Sequence, residues 1–151
     1  MKVKMKETKT KGERKMKLHF IENTEIESER NCFIARHVEG LYEGEKALVI
    51  DQLYSRRPGE GKMTKILSRY LRRLPEAIAE VHTVAHPYRC TDGLHWKEVI
   101  RYARWLRRMG FEFADRDAFF ARLKEIRREW GDDYIAYRDL EDVGAMVLNR
   151  N

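Results

Sequence analysis

Three features of this 151-residue chain combine residue types that can do chemistry. The first is the stretch "LYSRRPGEGKMTKIL", in which Arg56, Arg57 and Lys62 surround Gly59 and Gly61. The second is Asp51, a carboxylate inside the apolar run "LVIDQLY". A carboxylate in a buried strand is costly unless it is paired or functional. Asp51 is therefore a candidate general base or water-holder, with a structural salt bridge as the alternative. The third is His86, at the end of "AEVHTVAH". Imidazole titrates near neutral pH, so His86 is a candidate base, with capping or a loop role as the alternative. His37 is a further candidate of the same kind.

A glycine-rich turn between an apolar strand and a helix start suits an anion. Glycines let the backbone approach closely, and the first free N–H groups of the helix point outward with the positive end of its dipole. A plain loop with surface cations is the alternative. Gly61-Lys62 fits the second half of a nucleotide P-loop, but Arg56 stands where its first glycine belongs and Met63 where its hydroxyl belongs. The dinucleotide Gly-x-Gly-x-x-Gly pattern also fails, since Gly59 and Gly61 are its only glycines here. His82, His86, Cys90 and His95 match no zinc spacing, and no metal is expected. On one strand His82 and His86 would lie about 13 Å apart.

The elements that must position these residues follow from periodicity. Segments 17–22, 31–38 and 46–54 read as strands, and the near-continuous "ALVI" suits a strand buried on both faces. The connections "ENTEIESE" and "EGLYEGE" read as hairpin loops. The period then changes. Met63, Ile66, Leu67, Tyr70, Leu71 and Leu74 mark one face of a helix that ends before Pro75. Segment 79–86 reads as a strand closed by Pro87. Trp96, Val99, Ile100, Ala103 and Leu106 mark a second helix with Gly110 as its C-terminal cap. "FEF" follows as a strand, then a helix through Phe119, Leu123, Ile126 and Trp130, then a strand over 144–150. The expected architecture is α/β with a mixed sheet: an antiparallel meander, then strand, helix, strand, helix, strand.

Length bounds the chain to one domain, read as residues 16–151, preceded by a basic arm or edge strand over 1–15. Residues 1–17 carry eight cations and two acids. Net charge is +6, which favours acidic partners: a phosphorylated cofactor, a nucleic acid or an acidic protein. Two distant cysteines suggest no disulfide framework and a reducing, cytoplasmic setting. No apolar run approaches the ~18 residues that span a membrane, so no membrane partner is expected.

"RRPGEG", Arg56 to Gly61, matches Arg/Gln-x-x-Gly-x-Gly/Ala at every fixed position. This resembles the pyrophosphate-binding signature of the GCN5-related N-acetyltransferases. The order around it is similar too: the strand before it, the helix after it, the strand "EVHTVAH", and a helix ending in Gly110-Phe111 with "FEF" beyond. The similarity covers roughly residues 30 to 113. It implies the acyl-CoA N-acyltransferase fold, acetyl-CoA as cofactor and an amine as acceptor. Arg56, Arg57, Gly59, Glu60, Gly61 and Lys62 would hold the pyrophosphate. Leu53, Tyr54 and Val84 would line the pantetheine arm, and a backbone N–H near Leu53 would steady the oxyanion. Asp51 or His86 would be the base.

The chain departs from that pattern in four places, one of them the short run "YSRR" before the signature. Pro58 has no N–H to give the loop. "NTEIESER" is too short to replace the two helices that the family places between its first two strands. Leu106 stands where the family often carries a tyrosine as acid to the leaving thiolate; Tyr102, one turn earlier, is the candidate substitute, with core packing as the alternative. The rival function is an inactive module of the same fold that binds nucleic acid or a protein. The basic helix faces Arg101, Arg104, Arg107, Arg108 and Arg69, Arg72, Arg73 would serve it. The acceptor is left open between a small molecule and a macromolecule, and assembly between monomer and homodimer.

Overall fold

Alternation of apolar and polar residues builds the first half as antiparallel strands. A computed structural model describes residues 25–29, 32–41, 44–55, 61–87 and 93–150. The described elements are β1 (Glu25–Glu29), β2 (Cys32–Gly40), β3 (Lys46–Ser55), α1 (Lys62–Arg72), β4 (Ile78–Val84), α2 (Trp96–Arg108), β5 (Glu112–Phe113), α3 (Arg116–Trp130), α4 (Tyr137–Leu140) and β6 (Ala145–Asn149). The chain divides into two compact units, Met1–Val81 with Asn149–Asn151, and His82–Leu148. The mixed α/β class is as expected. The arm and the strand over 17–22 lie outside the described residues.

In the first unit the strand order is β1-β2-β3-β4. β1 pairs antiparallel with β2 in the register Glu25↔Arg36 to Glu29↔Cys32. This corrects the hairpin-loop reading of "ENTEIESE": its second half is a strand. Ladder hydrogen bonds hold a strand at the end of the order, so three glutamates at alternate positions do not prevent it. β3 carries the apolar run and buries Ala47, Leu48, Ile50 and Leu53. On α1, Leu67 and Tyr70 are buried, as the 3.6-residue period predicts. Arg150 closes the turn after α1. Its Nη1 donates to Pro75 O at 2.8 Å and its Nη2 to Leu74 O at 3.2 Å. Both carbonyls lie just past the end of α1, and Pro75 O also accepts from Ile78 N at 3.0 Å.

In the second unit the order is β4-β6-β5. β5 and β6 pair antiparallel through Glu112↔Val147 and Phe113↔Met146. α2 buries Val99, Ala103 and Leu106, and α3 buries Phe119, Leu123 and Ile126. Gly110 ends α2 with φ +105, and a Cβ there would lie 2.9 Å from Leu148 Cδ1. Positive φ and the close approach both require glycine. The short α4 was not legible in the sequence, since four residues show no period. No helix among the described residues is long and apolar enough to cross a membrane.

Candidate functional site

Register places the first chemical group. β2 and β3 pair as Ile34↔Leu53 and Ala35↔Gln52, and then as Arg36↔Ile50. Asp51 therefore has no opposite residue; it is the extra residue of a β-bulge. A bulge bends its strand and re-aims a side chain, and bulges gather beside active sites. Here the Asp51 carboxylate is 40% exposed. The apolar run thus does not bury Asp51, and the expected burial cost is absent.

Asp51 Oδ2 accepts from His37 Nδ1 at 2.9 Å, and Glu39 Oε1 accepts from His37 Nε2 at 3.0 Å. An imidazole that donates from both nitrogens is an imidazolium. Its pKa agrees. Burial acts to lower it, but the hydrogen bonds and charges of Asp51 and Glu39 outweigh that, and the net shift is upward from 6.5. Nothing in the residue pattern marks His37 and Asp51 as partners. They lie 14 residues apart and meet through strand pairing, and Glu39 was not singled out at all.

The second group is the amino end of α1. Its N-cap is Gly61, at φ 77 and ψ 0, with no side-chain cap and no acid in the first turn. Only glycine takes that left-handed conformation without cost. The ends of the other long helices are built differently. His95 accepts from Lys97 N on α2, and Asp115 from Ala118 N on α3, with Glu98 and Asp117 in their first turns. Gly61 thus starts α1 with no side chain of its own to cap it, the first turn holds no acid, and Lys62 is half-buried there. Such an end fits an anion. Arg56, Arg57, Gly59 and Glu60, as well as Pro58, lie outside the described residues.

The remaining residues divide between the units. Leu53 is buried and Tyr54 half-buried on β3 in the first unit. Val84, His86 and Tyr102 belong to the second. Val84 is half-buried, and its Cγ1 would lie 3.0 Å from a Cβ on Gly144. Tyr102 is half-buried, its ring 5.5 Å from that of Trp105. Leu106, at the position where the resemblance expects an acid, is fully buried.

His86 differs from its expected role. It follows β4 in a bend and is 7% exposed. Nδ1 contacts Pro87 O at 2.9 Å and Nε2 contacts Ile135 O at 3.1 Å. Its ring meets Tyr137 edge-on at 5.5 Å. A general base needs a lone pair aimed at the reacting proton. Both ring nitrogens of His86 face backbone carbonyls, so its place is that of a structural tie to the segment around Ile135. Among the described residues no three His, Cys, Asp or Glu side chains gather to hold a metal ion. Comparison of the chain with protein-family models, with curated proteins and with solved structures finds no match.

Proposed function

We propose that the chain is an acetyl-CoA-dependent N-acetyltransferase of the GCN5-related type, acylating an amine acceptor. The observation that carries this reading is the amino end of α1. It directly follows the signature Arg56 to Gly61, begins at a left-handed glycine, and has no acid in its first turn. The order in sequence supports it: β3, the signature, α1, β4, and α2 ending just before Gly110-Phe111.

In this reading the α1 amides and Lys62 hold the pyrophosphate, together with Arg56, Arg57, Gly59 and Glu60. Leu53 and Tyr54, on β3 of the same unit as α1, flank the pantetheine arm. Acetyl-CoA supplies an activated acetyl thioester. Asp51 is the base: the amine nitrogen gives up its proton to the carboxylate, directly or through water, while His37 holds Oδ2 at 2.9 Å and keeps the carboxylate in place.

A second reading, cofactor binding without transfer, draws on Leu106, which has no proton to give the leaving thiolate. Thiol release from acetyl-CoA in the presence of primary amines separates the two. The expected result is turnover that falls about 100-fold or more in Asp51→Asn, in line with the loss of a general base. Turnover unchanged in Asp51→Asn removes the assigned base, and cofactor binding without thiol release selects the inactive module.

A further inference from the structure

The outer face of α2 belongs to neither the cofactor cradle nor the base. At about 100° per residue, Lys97, Arg101, Arg104 and Arg108 fall within roughly 60° of one another around the helix axis. All four are exposed. The buried residues Val99, Ala103 and Leu106 lie on the opposite side. The stripe runs about 16 Å along the helix, with a cation at nearly every turn.

A solvated helix face normally alternates sign, because like charges three or four residues apart repel. Here Lys97 and Arg101, Arg101 and Arg104, and Arg104 and Arg108 are all like-charged neighbours at those spacings. Glu98 is the sole acid of the helix sequence. Arg107, off the stripe, meets Glu112 at 4.0 Å. Among the described residues no carboxylate pairs with any of the four stripe cations. The helix dipole accounts for Arg108 at the carboxyl end, but it disfavours Lys97 in the first turn. Lys97 lies over the Trp96 ring at 5.9 Å, but among the described residues no acid offsets the repulsion, which a polyanion laid along the helix would relieve.

We infer that this stripe is a nucleic-acid-binding surface that grips the phosphodiester backbone. Three of its four cations are arginines, whose planar fork matches phosphate oxygens two at a time. Trp105, half-buried, lies beside the stripe, its ring 5.5 Å from that of Tyr102. Backbone contacts carry no base information, so binding is sequence-independent and strongly salt-dependent. The inference does not rest on the cofactor reading.

Fluorescence anisotropy with a labelled 20-mer DNA, single-stranded and as duplex, tests it on the full chain. The variant is Arg101→Gln/Arg104→Gln/Arg108→Gln. The control is Arg116→Gln/Lys124→Gln/Arg128→Gln, which removes the same charge from exposed positions of α3. Circular dichroism checks that both remain folded. The expected result is binding of at least one form that weakens ~10-fold or more in the stripe variant. Its salt slope should fall by roughly 2 to 3, about one for each lost phosphate contact, while the control changes little. Absence of binding to both forms, equal loss in the control, or equal displacement by polyglutamate at matched charge overturns the proposal.

Discussion

His37 and His86 each place both ring nitrogens within 3.1 Å of an oxygen. The oxygens differ. His37 faces the carboxylates of Asp51 and Glu39 and is partly open to solvent. His86 faces the neutral carbonyls of Pro87 and Ile135 and is buried. A carboxylate stabilises the added proton by charge, and solvent access lets that proton exchange. A buried carbonyl pair fixes the ring in place by contact alone. The same residue type is therefore an ion-paired group in one unit and a packing element in the other, and position along a strand does not tell them apart.

The largest effect that distinguishes them is stability. His86→Ala removes a buried ring together with its contacts to Pro87 O and Ile135 O, and should cost roughly 3 kcal/mol in denaturant unfolding. His37→Ala removes partly exposed ion pairs and should cost less than about 1 kcal/mol. Equal losses would break the comparison.

Titration comes next. In proton NMR of the imidazole, His37 should titrate above 6.5, and Asp51→Asn should bring its midpoint down, because the main raising partner is gone while burial remains. A midpoint that does not move would mean that the 2.9 Å contact carries no charge coupling.

The smallest effect is the pH dependence of stability. His37 has its pKa raised on folding. Its contribution is full below the unfolded value near 6.5 and fades as pH rises through the folded value. His37→Ala should therefore destabilise more at pH 6 than at pH 9. The opposite order would contradict the raised pKa.

The elements were legible where a period repeats. The alternation and apolar run of β3 and the recurrence from Met63 to Tyr70 located their elements to within a few residues. β1 was missed because its only large apolar residue is Ile26. The candidate site was legible only in part. Gly61 was found because a turn chemistry stands in the sequence itself. The bulge at Asp51 was not, because it is a mismatch between two strands, visible only once Arg36 opposes Ile50. The His37–Asp51–Glu39 cluster follows from that same register. His86 was favoured because the end of a strand is where catalytic groups are often displayed; the carbonyls that occupy it come from Pro87 and from Ile135, which is distant in sequence.

The central claim is that the amino end of α1 takes the cofactor's pyrophosphate. Calorimetric titration of the full chain with acetyl-CoA tests it, using Gly61→Asn and Gly61→Asp as a matched pair. Both residues tolerate the left-handed conformation better than most, and among the described residues beyond its chain neighbours no atom lies within 4 Å of a Cβ there. They differ in charge. The account predicts binding by the parent chain, near-parent binding by Gly61→Asn, and affinity at least ~10-fold weaker for Gly61→Asp, since a carboxylate would then compete with the phosphates for the same amides. No binding by the parent chain, or equal affinity in the two variants, would contradict it.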